Sequence, residues 1–276
     1  MVPARDDEFE SVRRETDPRR QGRRATELLG IYQQRSIELA RLRREAMRQL
    51  QDAEGLSYAA VAAEFGLSKG RIGQISASAP PAERALFGVG PVTVAVPLRA
   101  GGDRLLPVLA SEDALAYELL AEHLRTLQLG VRQLRIPVDG HWEPSGDVVA
   151  ICGPKSSPVS AAALAADPLL DYRERDGRWA IAERASGTVH SSPWDHGDRT
   201  RDIAYLGRLP VPGGTMLLVA GVHALGSVGA VDWLAGHAAE LHAAVGDRPF
   251  SMVVASRHAG ERVEESEALW GPEPHA

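Results

Sequence analysis

Two consecutive prolines, Pro80 and Pro81, divide this sequence more sharply than anything else in it. Neither has a backbone N–H to donate, and both hold φ near −65°, so no helix runs through residues 79–82 and an element boundary falls there. Before the boundary, arginines and glutamates are interleaved with Leu28, Ile31, Tyr32, Ile37, Leu39, Leu42, Met47 and Leu50, whose spacing predicts a helix over about 19–51. Gly30 is expected to split or bend that helix, because an interior glycine costs about 1 kcal/mol against alanine. Glu54 and Gly55 supply a C-cap and turn. After the boundary, strand-like runs alternate with helical ones.

Charge follows the same divide. The 276-residue chain carries −6, yet residues 1–80 carry +2, residues 13–71 carry +5, and residues 81–276 carry −8. A positive end suits phosphate, whereas the acidic remainder would be repelled by a duplex. Basic residues are almost all arginine, with Lys69 and Lys155 the two lysines, as in proteins of a GC-rich genome such as an actinobacterium's. Hydrophobic residues make up 44%, enough for a true core. No apolar run approaches the ~18 residues of a membrane span, and the charged N-terminal residues do not read as a secretory signal. A cytoplasmic protein without a membrane partner is expected. Cys152 is the only cysteine, which excludes an intramolecular disulfide and a multi-cysteine zinc site.

The most informative run is 56–78. Two short helices that pack across each other need a small residue at the crossing, and Ala62 fits. Four positions on, the turn needs a residue that tolerates positive φ, and Gly66 supplies it. Val61 and Phe65, then Leu67, then Ile72 and Ile75 close a core from both sides, while Ser57 and Ser68 are placed as N-caps. With Ile72 and Ile75 inward, the second helix presents Lys69, Gly70, Arg71 and Gln74. Arginine can bridge guanine O6 and N7, glutamine can pair with adenine, and lysine can hold a phosphate. The expected DNA-binding residues are therefore Ser68, Lys69, Arg71 and Gln74, joined by Arg43 and Arg44 of the arginine-rich helix. A helical hairpin used only for packing is the plainer alternative. Helix 19–51 either completes a trihelical core or acts as a dimerisation element that sets two recognition helices on adjacent half-sites.

Residues 56–75, ending in Arg71-Ile72-Gly73-Gln74-Ile75, resemble region 4 of bacterial sigma factors and the sigma-like regulators that share its helix-turn-helix. The resemblance implies that the second helix enters the major groove of a promoter element. Segments that would bind core polymerase or melt a promoter are not visible, so the likeness is to a regulator carrying this module rather than to a working sigma factor.

Beyond residue 90, strands are predicted at 92–97, 131–138, 147–152, 178–181, 187–190, 202–206, 215–220 and 251–255, with helices at 111–127, 159–166 and 227–245. That alternation predicts an α/β domain with a mostly parallel, Rossmann-like sheet. Two strand–loop–helix junctions stand out. One carries Gly153, Lys155, Ser156 and Ser157, the other Gly221, His223, Gly226 and Ser227. Ligands of open α/β sheets sit beyond the carboxyl ends of strands, where helix N-termini favour anions. These eight residues are the candidate ligand-binding set, although glycine-rich turns also arise for steric reasons alone. Cys152 as a nucleophile, with His223 or His190 as base, competes with the plainer reading of a small buried hydrophobe. Asp195, His196 and Asp198 suggest a metal superficially, and an exposed turn explains them better. No catalytic residue, metal or cofactor is assigned.

The expected organisation is a disordered arm at 1–18, a helical DNA-binding module at 19–79, a linker at 80–90, an α/β sensor domain at 91–260 and a flexible tail at 261–276. The expected function is that of a homodimeric transcriptional regulator that binds double-stranded DNA and senses a small anionic or nucleotide-like ligand, or a partner. The competing expectations are a nucleotide-processing enzyme fused to an autoregulatory helix-turn-helix, and an interaction protein whose loops bind nothing.

Overall fold

The computed structural model describes residues 6–102, 105–211 and 214–276. The chain divides into two compact units, one of residues 1–81 with 89–91, the other of residues 82–88 with 92–276.

The first unit is helical. Within the segment expected to be a disordered arm, Asp6–Arg14 forms helix α1. Helix α2 spans Pro18–Glu54. Asp17 caps it by accepting from the Arg19 amide, Pro18 occupies the first turn, and Gly55 ends it at φ 66°. Gly30 neither breaks nor divides it; the flanking residues are strong enough helix formers to absorb one glycine. Helices α3 (Tyr58–Glu64) and α4 (Lys69–Ser78) follow. Met47 of α2 joins Val61, Ala62, Ile72 and Ile75 in one core, edged by Leu50, Leu56, Phe65 and Leu67.

The second unit begins inside the expected linker. Ala82–Phe87 is a 3-10 turn whose Leu86 and Phe87 belong to the core. Arg84 is fully buried and donates to the carbonyls of Leu127 at 3.1 Å and Gln128 at 2.7 Å. Next come β1 (Val92–Arg99), β2 (Val108–Leu109), α5 (Ser111–Thr126), β3 (Val131–Ile136), β4 (Val148–Ile151) and α6 (Pro158–Ala165). A three-stranded antiparallel sheet is inserted there, made of β5 (Leu170–Arg175), β6 (Arg178–Glu183) and β7 (Val189–Ser191). Asp176 and Gly177, both at positive φ, make its first hairpin turn. The chain ends with β8 (Arg201–Val211), β9 (Gly214–Gly221), α7 (Ala224–Val245), β10 (Phe250–Ala259) and β11 (Arg262–Pro274).

The main sheet has eight strands and overturns the expectation of a mostly parallel, Rossmann-like sheet. β1 pairs in parallel with β3 on one side and β4 on the other, and β4 pairs in parallel with β9. The pairs β9–β8, β8–β10, β10–β11 and β1–β2 are antiparallel. Both faces are covered: Val94, Val96, Leu217 and Val219 pack with α5 and α7, while Ala95, Ala150, Leu218 and Ala220 pack in the core on the other face. A strand buried on both faces reads as a continuous apolar run whatever its direction, so direction was not encoded in those runs. The expected tail at 261–276 is also corrected, since β11 pairs along β10. His275 Nε2 lies 2.7 Å from Ser251 Oγ, within a buried network of Asp167, Tyr205 and Ser251.

Candidate functional site

Two regions concentrate the residues singled out in the sequence. In the helical unit, α3 and α4 are joined by Phe65, Gly66, Leu67 and Ser68. Gly66 takes φ 62° and a Cβ added there would meet nothing within 4 Å, so the turn needs its backbone freedom rather than its small size. The Leu67 amide closes the turn on the Ala62 carbonyl at 2.8 Å. Ser57 Oγ accepts from the Ala60 amide at 3.3 Å and Ser68 Oγ from the Arg71 amide at 3.2 Å, so both helices start where the caps were expected. Ile72 and Ile75 are buried, and Lys69, Arg71 and Gln74 are exposed on the outer face of α4. Arg71 Nη1 donates to Gln74 Oε1 at 3.1 Å, which holds the two side chains together. The two arginines of α2 are placed differently. Arg43 is half-buried, and Arg44 donates to the carbonyl of Ala79 at 3.2 Å, clasping the end of α4.

In the second unit, a cavity of about 260 Å³ opens at the carboxyl ends of β1, β4 and β9. Arg99 and Asp113 wall it from β1 and α5, Cys152 to Ser156 from the loop after β4, Tyr172 from β5, and Gly221, His223 and Ser227 from the junction of β9 and α7. The two loops noticed in the sequence therefore face one space. The chain leaves β1 towards β3 and continues from β4 on the opposite side, so this is the switch point of the parallel strands. The two loops meet there despite the corrected topology, because their meeting depends only on those central parallel strands. A larger groove of about 680 Å³, walled by Trp142, Pro144, Pro158, Val159, Ala163 and Pro210, is mostly apolar and holds none of the candidate residues.

Arg99 Nη2 donates to Asp113 Oδ2 at 3.0 Å, and burial raises the Asp113 carboxyl against the pull of that guanidinium. Lys155 Nζ donates to the Val222 carbonyl at 3.3 Å and stands 5.4 Å from the Trp179 ring. Burial lowers its amine pKa despite the acids nearby. His223 Nε2 lies 3.0 Å from Asp195 Oδ1, and its ring stacks on Trp194 at 5.5 Å, with Arg199 on the other ring contact of Trp194 at 5.3 Å. Tyr172 donates its hydroxyl to the Gly221 carbonyl at 2.7 Å.

Beneath the cavity lies a residue that the sequence reading passed over. Asp202, 1% exposed, accepts from Ser192 Oγ at 2.7 Å, Ile203 N at 2.9 Å, His223 N at 3.1 Å and Gly226 N at 2.7 Å. Two of the amides at the start of α7, where a ligand anion was expected, thus already hold a carboxylate of the protein itself. Gly226 does not line the cavity; a Cβ there would meet the Ile203 carbonyl at 2.4 Å, so its role is close packing. Ser157 is also outside: it caps α6 and accepts from Trp142 Nε1 at 3.1 Å. Ser227 accepts from the Gly221 amide at 3.0 Å.

Cys152 is buried, its Sγ lies 3.6 Å from the Gly153 carbonyl, and burial pushes the thiol up to about 12. A thiol held protonated in this way is not a nucleophile at neutral pH. His190 pairs with Glu183 at 2.9 Å on the small sheet. Asp195 turns inward to His223 and Asp198 bonds Thr200. Among the described residues no His, Cys, Asp and Glu groups gather with metal-binding geometry. Arg99, Asp113 and Tyr172, which line the cavity, were not singled out in the sequence, and Asp195 stood out there only within its polar turn, its approach to His223 being set by tertiary packing. No described helix is long and apolar enough to cross a membrane. Comparison with protein-family models, with curated proteins and with solved structures finds no match.

Proposed function

We propose that this chain is a DNA-binding transcriptional regulator whose second unit senses a small anionic or nucleotide-like ligand, or a partner. The observation that carries the reading is the division of α4: Ile72 and Ile75 face the core, while Lys69, Arg71 and Gln74 lie together on the open face. Those three side chains have the donors and acceptor that base edges and phosphates require. Ser68 starts the helix at the same edge. Arg44 then acts chiefly by holding α2 to the end of α4, since it already serves the Ala79 carbonyl, and Arg43 beside it is left as a phosphate contact. A second copy of the chain would supply the second recognition helix.

The test is genome-wide crosslinking and sequencing of bound DNA, with an Arg71→Ala, Gln74→Ala double variant beside the native chain. Discrete peaks near promoters that vanish in the variant are expected, with binding that falls steeply as salt rises. Absence of enrichment in both proteins removes the DNA-binding reading. A second reading, that the same unit is a nucleotide-processing enzyme, draws on one observation: Asp195 orients His223 at the cavity as a carboxylate orients a general base. Product formation from a nucleotide by the full chain, lost in His223→Ala, would favour it.

A further inference from the structure

We propose that the cavity at the ends of β1, β4 and β9 binds a small hydroxylated anion of sugar-phosphate size, with the Lys155 ammonium on its anionic group and the His223 imidazole on a hydroxyl. The inference rests on the ligand-sensor reading of the second unit and narrows it to a chemical class.

The cationic side chains on the cavity wall are not equivalent. Arg99 already meets Asp113 at 3.0 Å. Lys155 makes no ion pair within 4.0 Å among the described residues; its contacts are one carbonyl, that of Val222, and the face of Trp179. An ammonium has three protons to donate, and one carbonyl uses one of them. A half-buried ammonium without a counter-ion gains both hydrogen bonds and charge compensation from a bound anion. The depressed basicity of Lys155 has the same origin, because burial without a paired carboxylate disfavours its charged form. At the start of α7, Asp202 already occupies the amides of His223 and Gly226.

His223 supplies the second point. Its Nε2 is held by Asp195 at 3.0 Å and its ring by Trp194, so the imidazole has little freedom to turn. In the neutral imidazole, a carboxylate on one ring nitrogen takes the N–H and leaves the other nitrogen as a lone-pair acceptor. That Nδ1 has no hydrogen-bond partner among the described residues, and His223 lines the cavity. A fixed acceptor of this kind selects a ligand O–H. Size then limits the class. Drug-sized ligands fill about 300–1,000 Å³. A cavity of about 260 Å³ is too small for a dinucleotide and of the right order for a phosphorylated sugar.

The experiment is calorimetric titration of the full chain with ribose 5-phosphate, ribose and inorganic phosphate at constant ionic strength. Native protein, Lys155→Met and His223→Gln are compared, each checked for an unchanged circular dichroism spectrum. Should Lys155→Met fail to fold, Lys155→Gln takes its place. Ribose 5-phosphate is expected to bind more tightly than either fragment. Lys155→Met should weaken it by about tenfold or more, the loss of one charge-assisted hydrogen bond, and remove its advantage over ribose. His223→Gln should weaken ribose 5-phosphate and leave phosphate unchanged. Absence of binding by ribose 5-phosphate overturns the proposal, as does binding that Lys155→Met leaves intact in a folded protein. The broader sensor reading is separable by a thermal-shift series with nucleotides. A stabilisation by a nucleotide that disappears in Lys155→Met, with no binding of ribose 5-phosphate, keeps the sensor and rejects the sugar-phosphate class. Silence in both assays removes the sensor as well.

Discussion

At the scale of single residues, the position with the greatest structural consequence is Asp202. Its carboxylate is the common acceptor for one hydroxyl and three amides, two of them at the start of α7. Asp202→Ala would leave those buried donors unanswered, and a loss of about 3 kcal/mol is expected from the usual cost of stranding buried groups that served a charge. A urea titration followed by tryptophan fluorescence measures it, and a change under about 1 kcal/mol would mean that water takes over the bonds. Cys152 yields a second prediction. Its thiol lies at about 12 instead of the ordinary value near 9 because burial disfavours the thiolate. Iodoacetamide at pH 8 should therefore label the folded chain far more slowly than the chain in urea. The folded value is the higher one, so the associated stability is complete below pH 9 and is lost as pH rises towards 12. Alkaline unfolding should accordingly be less steep in Cys152→Ala. Equal labelling of folded and unfolded chain would contradict the burial.

At the scale of elements, the helix-turn-helix is a local construction, and its parts can be removed one at a time. Ser68→Ala deletes the bond to the Arg71 amide and should cost about 1 kcal/mol in the helical unit, a typical N-cap loss. Loss of DNA binding with unchanged stability would instead assign Ser68 a contact role. Helix α2 poses a different question. Leu29, Tyr32, Leu39 and Leu42 are exposed at 60%, 37%, 66% and 44%, on one broad face of the helix. Isolated exposed leucines need no explanation, but four along one helix face form a patch. If a second copy covers it, sedimentation equilibrium of the native chain should give a dimer, and Leu39→Glu with Leu42→Glu a monomer of unchanged helicity. A native monomer would leave α2 as a support for the trihelical core alone.

At the scale of the whole molecule, the two units differ greatly in what they bury. The helical unit rests on Met47, Val61, Ala62, Ile72 and Ile75, whereas the second unit fills both faces of an eight-stranded sheet. Small cores are marginal because conformational entropy scales with chain length while buried area lags behind. Urea unfolding is therefore expected in two steps, with much of the helical circular dichroism signal lost before the tryptophan signal. Ile72→Ala should move only the first step, by about 2–4 kcal/mol. A single transition sensitive to Ile72 throughout would show that the units fold as one.

What the sequence alone determined lay within about a dozen residues at a time. Pro80 and Pro81 set a boundary, Ser57 and Ser68 set helix starts, Gly66 set a turn, and the periodicity of Val61, Ile72 and Ile75 set which face of each helix is inward. Capping, positive φ and side-chain period are short-range properties, so they are legible without a fold. The two glycine-containing loops were legible in the same way, as ends of apolar strands. Strand direction was not, because a run buried on both faces looks alike in either sense; the short connection between Val211 and Gly214, rich in proline and glycine, was the available sign that β8 and β9 form a hairpin. Only the tertiary structure decided that Asp202 occupies the amides of α7, that Asp195 reaches back to His223, and that Arg99 and Asp113 complete the cavity wall. Those partners lie 24, 28 and 14 residues apart in the chain, and pairing at such distances is chosen by the packing of whole elements rather than by any local preference.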